Sequence, residues 1–316
     1  MLIAIQLIAG ILLLCFGAEY LVRGSVRVAL TLGVSPLMIG LTLVAAATSA
    51  PELVVSLTAA LKGLDDISAG NVVGSNICNV ALILGLTALI SPMPVKRALL
   101  RFDIPVLLIA TLIFWGIGAG CGTIGRWGGA LLLGGMIAYI VRSVLLARRG
   151  ADVDVEEVES QPVRGVLGWL LCIAMIAGGT AGLIFGGNLL IEGAVSVGKL
   201  LGISDAVIAL TVVAVGTSLP ELATSVMAAI RKQQDIAIGN VIGSNLFNIL
   251  SIMGITPLVK PVYSGGISGM DWGILLLTTG LLVPIALSKK GCSRLWGAVL
   301  LGIYCIYTVM LACGQR

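Results

Sequence analysis

Two segments of this chain repeat each other without a gap. Residues 32–92 align with residues 201–261 at a constant offset of 169, and 30 of the 61 aligned pairs are identical. The most similar blocks are ATSAPEL with GTSLPEL, and GNVVGSNICN with GNVIGSNLFN. Because two such similar segments favour the same local structure, the fold must accommodate two related halves.

The chain is too apolar for a water-soluble protein. Of its 316 residues, 58% are hydrophobic and 11% are charged, and the mean hydropathy is +1.12. Soluble domains carry about 25% charged residues. A bilayer-spanning helix needs roughly 20 mostly apolar residues, and nearly the whole chain divides into such stretches. The first stretch lacks the basic start and small-residue cleavage site of a signal peptide, so we interpret it as a spanning helix.

Apolar windows and their polar breaks predict ten spanning helices. The one long polar segment, residues 148–164, has no apolar periodicity, and we interpret it as a linker between a first repeat at 1–147 and a second at 165–316. The predicted spans are 2–22, 36–61, 68–90, 103–120, 127–147, 165–187, 205–230, 237–259, 271–288 and 295–313.

Each half of the chain would contain five spans. Because five is an odd number, the second copy enters the membrane from the side opposite to the first. The two copies therefore have inverted topology, which is typical of secondary transporters with a site near the bilayer midplane. The predicted fold is an all-α membrane protein of ten transmembrane helices, arranged as two inverted-topology five-helix repeats with broken helices at an ion site.

The basic residues indicate an orientation in the membrane. If the N-terminus lies outside, the inner loops and helix ends carry 14 Lys and Arg residues and the outer ones carry 5, which together make the 19 of the chain. The positive-inside rule favours this arrangement. We therefore expect both termini outside and the 148–164 linker in the cytoplasm.

Polar residues recur at equivalent mid-membrane positions of both repeats. The second and seventh spans each place a threonine four residues before a glutamate, so that both side chains share a helix face. A charge at the bilayer centre costs at least ~3 kcal/mol, and Lys and Arg lie only near the ends of the predicted spans. A transported cation, or protons on the glutamates, would neutralise these carboxylates. The repeated residues are Thr48, Ser49, Glu52, Ser75 and Asn79 in the first half, and Thr217, Ser218, Glu221, Ser244 and Asn248 in the second.

The donor atoms of this group favour hard cations. Carboxylates, hydroxyls, amides and backbone carbonyls suit Ca²⁺ and Na⁺ and do not suit soft metals. Pro51 and Pro220 immediately precede the glutamates. Because a proline removes a helical donor and clashes with the carbonyl four residues back, we expect free carbonyls near 45–48 and 214–217.

The chain offers little for catalysis. It contains no histidine, which excludes histidine ligands and a histidine-based triad. Its seven cysteines show no CxxC spacing, so we interpret them as packing residues and not as a metal site. An intramembrane hydrolase would need a better nucleophile and base than Ser or Thr beside Glu. We therefore expect neither enzyme activity nor a cofactor.

Other polar residues have simpler explanations. Asn76 and Asn245 fit interhelical hydrogen bonding as well as ligand binding. Glu19 and Glu192 flank the first and sixth spans, where an interfacial position is favoured. The acidic residues of the linker are more typical of a solvated segment than of a regulatory cation site.

The blocks GTSLPE and GNVIGSN, with their first-half counterparts, resemble the alpha repeats of the cation/Ca²⁺ antiporter superfamily, the sodium/calcium exchangers. The resemblance covers essentially the whole chain. It implies the ten-helix architecture and a place in the plasma (inner) membrane of a prokaryote. It also implies exchange of Ca²⁺ against Na⁺, or against H⁺ or K⁺ in some branches.

The resemblance further implies a set of ion ligands. The central Ca²⁺ ligands would be Glu52 and Glu221 with the carbonyls of Thr48 and Thr217. The flanking Na⁺ sites would use Ser49, Ser218, Ser75, Ser244 and the carbonyls of Ala45 and Ala214, with Asn79 and Asn248 at the central positions of the third and eighth spans.

Two departures from the family pattern affect this assignment. The first block reads ATSAPE, with Ala47 and Ala50 in place of the usual Gly and Leu. Asn248 stands where several family members carry Asp, so the site offers two carboxylates and not three. This difference weakens the case for K⁺ cotransport and leaves the coupling ion open.

Three transport functions fit these residues. Ca²⁺/Na⁺ antiport by alternating access is the main hypothesis, with the first and sixth spans sliding against the rest of the protein. Ca²⁺/H⁺ antiport would use the same glutamates as proton carriers. A cation channel is the alternative from a different class, but channels usually build their filters from rings of identical subunits, and inverted halves with broken helices argue against one.

Overall fold

The computed structural model describes residues 2–148, 163, 165–201 and 214–313. Helices form nearly all of this part of the chain, because a helix satisfies its own backbone hydrogen bonds in an apolar environment. The first half contains α1 Leu2–Leu32, α2 Pro36–Thr48, α3 Ala50–Leu61, α4 Asp65–Ile90, α5 Leu99–Cys121 and α6 Arg126–Arg148. The second half contains α7 Gly165–Leu200, α8 Ala214–Gly216, α9 Leu219–Ile230, α10 Gln234–Val259, α11 Gly269–Leu287 and α12 Arg294–Ala312.

Eight of the described helices are long and apolar enough to cross a bilayer, and the bent pair α2–α3 makes a ninth when it is counted as one span. The span predicted at 205–230 begins within residues 202–213, which lie outside the described residues, and its described end is α9. The linker predicted at 148–164 also lies almost wholly outside them. The described chain is therefore a nearly all-helical membrane protein with eight to nine apolar spans.

Two predicted span ends were wrong. α1 continues to Leu32 and does not end at residue 22, and α7 continues to Leu200 and does not end at residue 187. Charged and amide side chains follow both predicted ends. Such side chains end an apolar window, but they do not end a helix, because the backbone bonding continues past them. Arg23 in α1, for example, forms a salt bridge with Glu19 one turn earlier.

α1 and α7 pack against each other through glycines. A Cβ atom on Gly17 would lie 2.8 Å from the carbonyl oxygen of Gly179, and one on Gly186 would lie 2.9 Å from that of Gly10. Gly10 and Gly17 correspond to Gly179 and Gly186 at the offset of 169, so the two contacts exchange when the halves are exchanged. The helices run antiparallel at this crossing, and the small residues let their backbones touch, as is common in membranes.

The similarity of the halves extends to the last two helices of each. Tyr139 in α6 donates to Asp103 in α5 at 3.0 Å, and Tyr307 in α12 donates to Asp271 in α11 at 2.8 Å. Both pairs are separated by 36 residues, and they correspond at an offset of 168. The change of offset by one residue explains why the ungapped alignment did not include them.

Two short backbone pairings join the halves. Strand β1 Thr123–Ile124 pairs antiparallel with β2 Val262–Tyr263. Met93, in the loop after α4, exchanges two backbone hydrogen bonds of 3.0 and 2.9 Å with Cys292, in the loop before α12. Loops of the first half therefore pair with loops of the second through backbone hydrogen bonds.

Candidate cation site

Each predicted glutamate lies in the first turn of a helix that follows a break. The chain bends by 45° between α2 and α3, at Ser49, which has φ −85° and ψ 7°. Ser218 has nearly the same angles before α9, φ −90° and ψ 8°. A proline occupies the first turn of both helices, where its missing N–H costs no hydrogen bond. The helix N-termini therefore lie beside Glu52 and Glu221, where they favour a negative charge.

The two glutamates are bound by serines of the opposite halves. Ser49 donates to Glu221 Oε1 at 2.8 Å, and Ser218 donates to Glu52 Oε1 at 3.3 Å. All four side chains are fully buried. Each serine–glutamate pair becomes the other when the halves are exchanged, so both glutamates lie at the interface between the halves.

A π-helical turn begins at equivalent positions in α4 and α10, at Cys78–Leu84 and Phe247–Ile252. These turns contain Asn79 and Asn248, which are both buried. The first turn packs against α9 and the second against α3, so each lies against the glutamate helix of the opposite half. Such turns interrupt regular backbone pairing and are frequent at functional sites.

Four side-chain oxygens of the two glutamates and of Asn79 and Asn248 have no hydrogen-bond partner in the part of the chain that the structure describes. They are Glu52 Oε2, Glu221 Oε2, Asn79 Oδ1 and Asn248 Oδ1, and the Asn248 amide nitrogen is unpaired as well. Buried polar groups in native proteins are nearly always paired, and a buried charge without a partner is costly. No Lys or Arg of the described chain forms a salt bridge with either glutamate. Unpaired oxygens of this kind are suitable ligands for a hard cation.

The backbone at the breaks departs from expectation at two carbonyls, those of residues 45 and 215. The Ala45 carbonyl accepts the Ser49 N–H at 2.9 Å and the Thr48 hydroxyl at 3.3 Å, so it is not free. The reason is that Pro51 removes the donor for residue 47 and not the donor for residue 45. Ala214 begins α8, and there the Ser218 N–H bonds to the carbonyl of residue 215 at 3.1 Å.

The remaining predicted residues of the site differ in exposure. Thr48, Ser75 and Ser244 are at most 2% exposed, whereas Thr217 is half-buried. The hydroxyls of Thr48 and Ser244 lie 3.5 Å apart, which brings a third pair of residues from opposite halves together. Among the predicted ligand residues, the surroundings of Thr48 are therefore more buried than those of Thr217.

Asn245 is an interhelical hydrogen-bond partner. Asn79 donates to Asn245 Oδ1 at 3.0 Å, and Asn245 donates to the backbone carbonyl of Asn76 at 3.3 Å. The Asn76 side chain bonds instead within its own helix, to the Val72 carbonyl at 2.7 Å. The interhelical interpretation is therefore confirmed for Asn245, and the Asn76 amide group makes an intrahelical bond.

Two asparagines outside the predicted set contact the glutamate segments. Asn71 donates to the backbone carbonyl of Glu52 at 3.2 Å, and Asn240 donates to that of Glu221 at 3.3 Å. They occupy the same place in the blocks GNVVGSN and GNVIGSN. Their recurrence in both halves was the signal that could have identified them.

Glu19 and Glu192 contact other residues. Glu19 forms salt bridges with Arg23 and, at 2.6 Å, with Arg231, while Glu192 accepts a hydrogen bond from Gln6 at 3.4 Å. No described hydrogen bond or salt bridge links either of them to the two buried glutamates.

An apolar helical fold with a buried acidic site at a twofold-repeated interface is the architecture of an ion-transporting membrane protein. The sodium/calcium exchanger protein family matches residues 2–145 and 171–312. The chain belongs to this family, whose members are cation/Ca²⁺ antiporters and transport Na⁺ and Ca²⁺.

Individual relatives cover nearly the full chain. A putative antiporter, CaxA of Alkalimonas amylolytica, is 36% identical over 313 residues, which is 97% of this chain and 98% of CaxA. The sodium/calcium exchanger MaX1 of Methanosarcina acetivorans is 32% identical, over 96% of this chain and 97% of MaX1. A solved structure of the sodium-calcium exchanger NCX_Mj, soaked with zero Na⁺ and Ca²⁺, is similar with a TM-score of 0.83 and 32% identity, covering 98% of this chain and 99% of that one.

Proposed function

We propose that this protein is a secondary active antiporter that exchanges Ca²⁺ for Na⁺ by alternating access, with Glu52 and Glu221 binding the ions. The observation that carries the proposal is the crossed pair of serine–glutamate bonds. These bonds bring two carboxylates from opposite halves to one buried place, and one oxygen of each stays unpaired among the described residues. The family membership supports Ca²⁺ as one of the exchanged cations.

Charge balance gives a physical basis for exchange. Two carboxylates carry two negative charges, which one Ca²⁺ or two Na⁺ would neutralise. An empty charged site is costly to move through an apolar environment, whereas an occupied site is neutral. Transition between the two orientations is therefore favoured only when an ion is bound, as antiport requires.

In the proposed site, the glutamate carboxylates bind Ca²⁺ together with the threonine carbonyls, and Na⁺ binds beside them. Oxygen donors of this mixture suit both ions. The proposed ligands are Glu52, Glu221, Thr48, Thr217, Ser49, Ser218, Ser75, Ser244, Asn79, Asn248 and Ala214; the Ala45 carbonyl, which already accepts two hydrogen bonds, is left out.

For the whole chain we propose ten spans in two inverted five-helix repeats, 1–147 and 165–316, joined by a cytoplasmic linker at 148–164. Hydrogen bonds that recur at offsets of 169 and 168 support the repeat. The distribution of Lys and Arg supports termini on the outer side of a prokaryotic plasma membrane. The close glycine contact between α1 and α7 supports the proposal that these two helices move together against the rest of the protein.

Transport by the purified protein in liposomes tests the proposal. Ca²⁺ uptake is followed while a gradient of Na⁺, H⁺ or K⁺ is imposed in separate experiments. We expect the wild type to accumulate Ca²⁺ when Na⁺ flows out, and we expect Glu52→Gln and Glu221→Gln to reduce uptake to background. Glu192→Gln, which changes a glutamate outside the site, should transport like the wild type. Wild-type rates in both site variants would show that the ions bind elsewhere.

Ca²⁺/H⁺ antiport is the second candidate. Two buried carboxylates without a basic partner in the described chain support it, because each has an oxygen free to carry a proton. In this case Ca²⁺ uptake would follow an imposed pH gradient and would ignore Na⁺. Downhill Ca²⁺ flux with no counter-ion would instead indicate a channel.

A further inference from the structure

We propose that Asn71 and Asn240 are positioning residues of the cation site, each tying the glutamate segment of its own half to the threonine of the other half. The proposal rests on the function proposed above and adds two residues that do not themselves bind the ion. It follows from the hydrogen bonds of the two amide groups, which correspond one by one between the halves.

The Asn240 amide uses both its donor group and its acceptor. Its nitrogen donates to the Glu221 carbonyl at 3.3 Å and to the Ser225 hydroxyl at 3.0 Å. Its oxygen accepts from the Thr48 hydroxyl at 3.1 Å. Glu221 and Ser225 belong to α9 of the second half, whereas Thr48 ends α2 of the first half. One side chain therefore connects both broken helices.

Asn71 makes the equivalent contacts from the first half. Its nitrogen donates to the Glu52 carbonyl at 3.2 Å and to the Ser56 hydroxyl at 2.9 Å, both in α3. Its oxygen accepts from the Thr217 hydroxyl at 3.5 Å. The two networks are related by the offset of 169 at every residue, so the contacts are a property of the repeat and not of one local environment.

The connection matters because it joins Glu221, which has an unpaired carboxylate oxygen, to Thr48, whose carbonyl is a proposed ligand. A threonine hydroxyl has one proton, and the shortest contact of the Thr48 hydroxyl is with Asn240. Asn240 thereby fixes the side chain of Thr48 and leaves its backbone carbonyl as the group that is offered to a cation. The same amide holds the backbone at Glu221, so the spacing between carboxylate and carbonyl is set before the ion arrives.

The two connections differ in strength. Asn240 and Thr48 are at most 1% exposed and joined at 3.1 Å, whereas Asn71 and Thr217 are half-buried and joined at 3.5 Å. A hydrogen bond shielded from water contributes more than a long, partly hydrated one. Substitutions of Asn240 should therefore have larger effects on ion binding than the same substitutions of Asn71.

The test is a double-mutant cycle between Asn240→Ala and Thr48→Val, read out as the apparent KM for Ca²⁺ and the maximal rate in liposomes. Thr48→Val removes the hydroxyl and keeps the carbonyl. We expect each single variant to raise KM about fivefold to tenfold with a much smaller change in maximal rate, because each removes one buried connection. The double variant should be less impaired than the product of the single effects, since both remove the same bond.

The controls separate this inference from general loss of structure. Thr111→Val removes a buried hydroxyl that bonds to the Leu107 carbonyl of its own helix, and it should leave KM unchanged. Asn71→Ala should raise KM less than Asn240→Ala. The coupling between Asn71→Ala and Thr217→Val should be weaker than that between Asn240→Ala and Thr48→Val. Size-exclusion chromatography and thermal unfolding check that each variant is folded.

Two results would overturn the inference. One is independent, fully multiplicative effects of Asn240→Ala and Thr48→Val on KM. The other is a failure of both asparagine variants to fold, which would assign them to stability and not to ion binding. A wild type that does not exchange Ca²⁺, or a Glu52→Gln variant that still does, would instead refute the proposed function, and the two failures are therefore distinguishable.

Discussion

The Ser49 hydroxyl of one half donates a hydrogen bond of 2.8 Å to the Glu221 carboxylate of the other half. The equivalent bond, from Ser218 to Glu52, measures 3.3 Å. Each half therefore orients the glutamate of its partner. Under the proposed alternating access, a movement between the halves would change the surroundings of both carboxylates together.

Removal of these serine hydroxyls should weaken ion binding unequally. We expect Ser49→Ala to raise the apparent KM for Ca²⁺ more than tenfold, because a hydrogen bond to a charged group contributes about 1.5–3 kcal/mol. Ser218→Ala, which removes the longer bond, should have a smaller effect. The measurement is Ca²⁺-dependent uptake into liposomes. Ser143→Ala is the control, since that hydroxyl bonds within its own helix at 2.8 Å. Equal effects of the two site variants would contradict the difference between the two hydrogen-bond distances.

The glycine contact between α1 and α7 should not tolerate a methyl group. A Cβ on Gly179 would lie 2.7 Å from the Gly17 carbonyl oxygen, whereas a Cβ on Gly178 meets nothing within 4 Å. We expect Gly179→Ala to lower the free energy of unfolding by about 1–3 kcal/mol through overpacking and to slow transport. Gly178→Ala is the matched control and should be neutral. Thermal unfolding in detergent and uptake in liposomes measure the two effects, and an unchanged Gly179→Ala variant would mean that the helices are not in contact.

A third carboxylate should disturb the charge balance of the site. With Asn248→Asp, one bound Ca²⁺ leaves a net negative charge, and moving an unpaired charge through the membrane costs at least ~3 kcal/mol. We expect a lower maximal rate at neutral pH that is partly restored by K⁺ or by lower pH, because either cation supplies the missing charge. Uptake rates across a series of K⁺ concentrations and pH values provide the measurement. A rate that depends on neither would contradict the two-charge argument.

The ion pair between Glu19 and Arg231 should affect one side of the membrane only. Arg231 contacts the Glu19 carboxylate at 2.6 and 2.8 Å, and the equivalent positions in the repeat, Asn188 and Lys62, cannot form an ion pair. We expect Glu19→Gln to change the apparent KM for Ca²⁺ about twofold to fivefold when Ca²⁺ is added to the face of Arg231, since a partly exposed ion pair contributes up to ~1 kcal/mol.

The control is the double variant Glu19→Arg/Arg231→Glu, which exchanges the two charges and should restore the wild-type KM. Protein inserted in one orientation allows Ca²⁺ to be added to each face separately. Equal shifts on both faces would show that the ion pair has no directional role.

Much of the candidate site could be predicted because the repeat marks it. Glu52, Glu221 and their serine neighbours recur with fixed spacing, and an intramembrane carboxylate is costly enough to require a function. The proline-linked breaks followed from the same blocks. What the alignment could not give is the crossed pairing, because equivalence between two residues says nothing about which residues touch.

Other features were hidden for separate physical reasons. The ends of α1 and α7 were placed too early because hydropathy falls where charges begin, although backbone hydrogen bonding does not. Asn71 and Asn240 recur in both halves, but recurrence alone does not show that their partners include the backbone carbonyls of the glutamates. The Ala45 carbonyl is occupied because the bend at Ser49 leaves the regular bond between them intact.

The contacts between Gly10 and Gly186 and between Gly17 and Gly179 map onto each other when the halves are exchanged. If the two halves are inverted as proposed, exchanging them turns a joint displacement of α1 and α7 toward one face of the bilayer into a joint displacement toward the other. The packing of this pair has no intrinsic preference for either direction. In the proposed transport cycle, the resting orientation would then be set by side chains that differ between the halves, and 30 of the 61 aligned pairs are identical while the other 31 differ.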